Sequence, residues 1–151
     1  MALELDEIFY AALIADSTLT ASVPASRILS TCVEVAPTEQ DKTPLPYIII
    51  TDDPLQNEVG TKDDDWESDV DSVQAGVIIN AESPKEVKRL RRLVRHAIAT
   101  YVGNMTENIP ELTAFSNEGI AWDWTKPCYH DTLHYQCDMT IDLNDENDEQ
   151  D

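Results

Sequence analysis

Positive charge is scarce in this sequence: 10 Lys and Arg stand against 30 Asp and Glu, for a formal net charge of −20. Nucleic acids and anionic lipids hold proteins through many cationic contacts that release counterions, so the bulk surface is expected to repel both. Glycine is scarce too, with four residues. None of them belongs to a Gly-rich phosphate loop or to the GxSxG turn of a nucleophile elbow, so the sequence predicts no enzyme of those classes. Long apolar runs are missing: YIII, from Tyr47 to Ile50, falls far short of the ~20 residues that span a bilayer. The segment MALELDEIFY lacks the basic flank and continuous apolar stretch of a secretory signal, which predicts a protein made without export. Three cysteines, Cys32, Cys128 and Cys137, form no CxxC pair and fit free thiols in a reducing compartment.

What is present is enough for one core. With 151 residues, 42% of them apolar, the chain predicts a single α+β domain over residues 1–143, followed by a disordered acidic tail, NDENDEQD, over 144–151. Apolar residues at Leu5, Ile8, Phe9, Ala12 and Leu13 have the three-and-four spacing of a helix that ends near Asp16. Four prolines between Thr18 and Pro46 predict an extended connection with at most a short strand near Arg27 to Val35. PYIIIT, residues 46–51, reads as a buried strand. In WESDVDSVQAGVIIN, Val73, Ala75, Val77 and Ile79 alternate with Gln74, Gly76 and Ile78, the period of a strand with one face on the core. These two strands predict a long hairpin with an acidic tip.

Ser83-Pro84-Lys85-Glu86 is a capping box with proline at the first helical position, so a helix begins there. Val87, Leu90, Val94, Ala97, Ile98 and Tyr101 share one side of its wheel, and Gly103 supplies a stop. Asn104 to Glu118 reads as a loop. Ile120, Trp122 and Trp124 share a face of a next strand, and Leu133, Tyr135, Cys137, Met139, Ile141 and Leu143 share a face of the last. Phe9, Trp66, Trp122 and Trp124 are expected to be buried, as large aromatics usually are. The predicted fold is a mostly antiparallel four-stranded sheet with two helices packed on one face and a long acidic hairpin arm.

The candidates for chemistry are weak. Cys128, His130, His134 and Cys137 are zinc-type ligands, yet His134 and Cys137, three apart on a strand, face opposite sides of it. Asp63, Asp64 and Asp65, with Asp52 and Asp53, lack the spacing and glycine of an EF-hand loop and read as a solvated run. Glu86-x-Lys88 resembles the Glu-x-Lys of restriction-type nucleases but lies on a capped helix. No catalytic, cofactor-binding or metal-binding residue is assigned.

One feature is sharp. Six of the ten cations, Lys85, Lys88, Arg89, Arg91, Arg92 and Arg95, lie within twelve residues. Five share the helix side opposite its apolar face, with Arg91 at the margin. A matching acidic series, Asp63, Asp64, Asp65, Glu67, Asp69 and Asp71, lies on the predicted arm. Copies of this chain joined head to tail through the two regions form a heterologous contact of the kind that closes into a ring.

The helix IFYAALIADSTLTASV, Arg27-Ile28, the strand PLPYIIITDDP and the strand and helix SVQAGVIINAESPKEVKRLRRLVRHAI together resemble the tail-terminator, or tail-completion, family of long-tailed bacteriophages, related to minor tail protein U of phage lambda. The likeness covers roughly residues 3–102, and the carboxyl-terminal hairpin fits the family's last two strands. The acidic arm at 63–71 and the acidic tail depart from it. The resemblance implies a structural virion protein without catalytic activity or cofactors. It implies a hexameric ring at the head-proximal end of the tail that stops tail-tube polymerisation, and partners in the tail tube protein and the head–tail connector. The family is assembled in the host cytoplasm, located in the virion neck and has no membrane contact. A negative lumen lets genomic DNA pass without sticking. A head-closure or adaptor protein of the same neck, an acidic DNA mimic and a metal-dependent hydrolase are the rival readings.

Overall fold

A computed structural model describes residues 5–30, 44–52, 56–59, 67–107, 109–125 and 127–140. Helix α1, Leu5–Ala15, buries Leu5, Ile8, Phe9, Ala12 and Leu13, the residues whose spacing marks it in the sequence. The chain does not become extended at Thr18. Asp16 accepts a hydrogen bond from the Leu19 backbone N–H at 2.8 Å and so opens a second helix, α2, Ser17–Ser22, because an Asp at the N-cap satisfies an orphan amide. Leu19 then enters the core, fully buried. A single 3₁₀ turn, Ala25–Arg27, leads into the short strand β1, Ile28–Ser30, within the stretch where the sequence predicts one.

The sheet is mixed and mostly antiparallel. Its strands are β2, Tyr47–Asp52; β3, Gln56–Val59; β4, Glu67–Ala81; β5, Glu111–Asn117; β6, Ala121–Asp123; and β7, Cys128–Thr140. The order is β1-β2-β4-β7-β5, with β3 extending the pairing along β4 and β6 along β7. Only β1 and β2 run parallel. β2 and β4 form the predicted antiparallel pair, and β3 continues it towards Glu67. The tip at 60–66 lies outside the described residues.

Helix α3, Pro84–Gly103, begins as its sequence dictates. Ser83 adopts extended backbone angles, and its Oγ accepts from the Glu86 amide at 3.2 Å. It ends one residue later than the glycine suggests: Gly103 is the last helical residue, and the Asn104 amide closes the end on the Thr100 carbonyl. Val87, Leu90, Val94, Ala97 and Ile98 face Val73, Ala75, Val77 and Ile79 of β4 and Leu133 and Tyr135 of β7 in one apolar cluster with α1. Each such fully buried aliphatic side chain contributes about 1.5–3 kcal/mol. The helices thus cover one face of the sheet, as the alternation in β4 requires.

Three sequence expectations are corrected here. The sheet has seven strands among the described residues rather than four. Strand β5 occupies part of the stretch 104–118 read as a loop; as an edge strand with six of its seven residues exposed, it shows no apolar alternation. Trp122 and Trp124 are not core: Trp124 is 86% exposed and Trp122 38%, because β6 spans only three residues and ends at Asp123, leaving Trp124 in the turn beyond it. Phe9 is core, 1% exposed; Trp66 lies outside the described residues.

Candidate interaction surface

The cations of α3 share one helix, but they do different things. Arg89 pairs with Glu86 one turn back on the same helix, its Nε donating to Oε2 at 3.1 Å. The hydrogen bond from Arg89 holds the Glu86 carboxyl below its usual range. Arg91, at the margin of the stripe, turns inward and donates from its guanidinium to Asp131 Oδ2 at 2.9 Å. Arg95 lies over the Phe115 ring, 4.3 Å from its centroid. Lys85, Lys88 and Arg92 are exposed and form no ion pair among the described residues. Three of the six cations are thus engaged within the subunit, and the other three are exposed without an ion pair among the described residues.

The acidic series divides differently. Glu67, Asp69 and Asp71 lie on β4, with Glu67 in register with Val59 and Asp71 with Asn57 of β3. Asp63, Asp64 and Asp65 lie outside the described residues. The strand sets the acids of β4 apart from the start of α3, and the helix then runs back along the strand. Lys85 follows closely on Ala81, the last residue of β4. Asp71 and Glu67 are ten and fourteen residues back along the same strand, roughly 33 and 46 Å at 3.3 Å per residue.

Sequence reading missed Asp131. It is fully buried on the helix-facing row of β7, between Tyr129 and Leu133 and in register with Ile79. Besides Arg91 it accepts from Asn117 Nδ2 at 3.0 Å and from the Gly119 amide at 2.9 Å. Gly119 has φ +100°, a conformation available to glycine with little strain. One carboxylate therefore ties α3, the end of β5 and the turn before β6 to β7. The signal was an acid interrupting an apolar row, DTLHYQC, which is costly unless paired.

Between the second half of α3 and strands β5 and β7 lies an apolar cavity of about 310 Å³. Arg95, Ile98, Ala99, Val102, Leu112 and Phe115 line it, with Tyr135 and Cys137 beneath. Leu112 is 56% exposed. Phe115 and Phe9 each meet the Tyr135 ring edge-on at 4.9 Å. Burial pushes the Tyr135 hydroxyl up to about 12, against an opposing effect of nearby Arg95. Burial likewise pushes the Cys137 thiol up to about 11, helped by the Asp138 charge. Neither group is primed as a base or nucleophile.

The zinc-type residues of β7 do not converge. Cys137 sits in the helix-facing row in register with Val73, whereas Cys128 pairs with Asp123 at the far end of the strand. His134 contacts Glu118 Oε2 at 2.8 Å on the exposed surface. Among the described residues no group of three or more His, Cys, Asp or Glu is placed to hold a metal ion, and no helix is long and apolar enough to cross a membrane. No protein-family model matches the chain, and a search of curated proteins returns no significant match.

Proposed function

We propose that this chain is a ring-forming structural protein of the neck of a long-tailed phage, seated at the head-proximal end of the tail. There it ends tail-tube polymerisation and presents a surface to the head–tail connector. The observation that carries this reading is the separation of charge: exposed Lys85, Lys88 and Arg92, without an ion pair among the described residues, lie on the first half of α3, while the acids of β4 lie roughly 33–46 Å along the strand from Ala81, the residue that leads into that helix. A subunit charged in this way attracts its copies head to tail, and a heterologous contact that closes gives a ring, of six copies in the family it resembles. The remaining acid excess lets duplex DNA pass through the lumen without adhering, since the Debye length of ~10 Å at 0.1 M salt leaves close like charges repelling.

The test is the double reversal Lys88→Glu with Arg92→Glu. Both residues are exposed and form no ion pair among the described residues, so the variant is expected to keep its unfolding free energy within about 0.5 kcal/mol. Its sedimentation is expected to collapse from ring to monomer. A variant that assembles like the parent contradicts the reading.

A further inference from the structure

Lys88, Arg92, Arg95 and Ala99 follow one another at spacings of four, three and four residues, so they form one ridge along α3. The ridge runs from exposed cations into the apolar cavity that Arg95 and Ala99 line. In the sequence, one segment has the inverse character. DDDWESDVD, residues 63–71, sets a single large aromatic, Trp66, among six acids. We propose that the cavity between α3 and β5 receives Trp66 from the arm of a second copy, while the acids flanking that tryptophan lie along the Lys88–Arg92–Arg95 ridge.

Three observations support this occupant. A cavity of about 310 Å³ is at the small end of ligand-binding pockets and suits one aromatic anchor rather than a larger ligand. Arg95 stands at its border, able to stack on an incoming ring and to pair with a neighbouring carboxylate. The described strand leads away from the cavity towards the segment that carries Trp66. Val73 of β4 is in register with Cys137 at the cavity floor, and Glu67 is six residues further along the same strand, roughly 20 Å away.

This inference rests on the head-to-tail reading above, and the experiment separates the two. Trp66→Ala removes the anchor; Ala99→Trp, at an exposed helix position, fills the cavity. Circular dichroism checks that both variants are folded. Each variant alone is expected to be monomeric by light scattering. An equimolar mixture is expected to give a dimer and no larger species, because only one pairing, the arm of Ala99→Trp with the cavity of Trp66→Ala, remains intact. If both variants assemble like the parent, the inference is overturned while the ring reading stands. If only Ala99→Trp is defective, the cavity takes another segment, such as the acidic carboxyl-terminal stretch, and the assignment to Trp66 is overturned. If the parent itself is monomeric, a fluorescein-labelled peptide of residues 61–72 is titrated onto the full chain. Binding lost at least tenfold in Ala99→Trp upholds the cavity as its site without the ring, and absence of binding overturns it.

Discussion

Asp131 shows how much one side chain holds. Its two carboxylate oxygens take the Arg91 guanidinium, the Asn117 amide and the Gly119 N–H in a fully buried setting. Asp131→Ala strands all three donors, which is expected to cost about 3 kcal/mol in urea unfolding. Asp131→Asn keeps the shape but presents an amide to the guanidinium, and is expected to recover part of that loss. Equal stability of parent and Asp131→Ala contradicts the role given to this carboxylate. At the cavity floor, Cys137 and Tyr135 are kept neutral by burial, with folded values of about 11 and about 12 against ordinary values of 9.0 and 10.0. A folded value raised above the unfolded one stabilises the protein fully below the unfolded value and loses that contribution as pH rises through the folded one. Stability is therefore expected to decline from about pH 9 to 12, and Cys137→Ala to remove the part of that decline between pH 9 and 11, as measured by thermal unfolding across alkaline buffers. The cation stripe was legible in the sequence; its division into paired and free members was not. Arg91 finds Asp131 forty residues away, and Arg95 finds Phe115 on a strand whose pattern did not reveal it.

Elements with a strong period were legible, and those without one were not. Helix α3 carries its cap, its proline and its apolar face in sequence, and β4 alternates cleanly, so both were read nearly to their ends. Ser83→Ala removes the Oγ acceptor of the Glu86 amide and is expected to destabilise by about 1 kcal/mol without changing assembly; chemical denaturation beside light scattering reads both. Leu90→Ala, in the fully buried row of the same helix, is expected to cost about 2–5 kcal/mol, since the sheet below cannot close the void. Strand β5 was missed because an exposed edge strand has no buried face to impose alternation. Helix α2 was missed because its six residues carry one buried apolar side chain, Leu19, too few to show a period. Trp122 lies on β6, but the strand ends at Asp123 and Trp124 falls in the turn after it, so the expected shared face does not form.

At the scale of the molecule, composition excluded more than it assigned. An excess of twenty negative charges over 151 residues argues against nucleic-acid and lipid adhesion and makes any self-association depend on where the few cations stand. The fold gives that dependence a geometry, with cations that form no ion pair among the described residues on the first half of α3 and acids towards the start of β4. Contacts of this kind between exposed groups are screened as the Debye length falls from ~10 Å at 0.1 M salt to ~3 Å at 1 M. The most direct test is the mass of the purified chain by light scattering across that range. A species several times the 16.9 kDa of one subunit is expected at low salt, falling towards 16.9 kDa as salt rises. A mass of 16.9 kDa at every salt concentration, or an assembly indifferent to salt, contradicts that expectation.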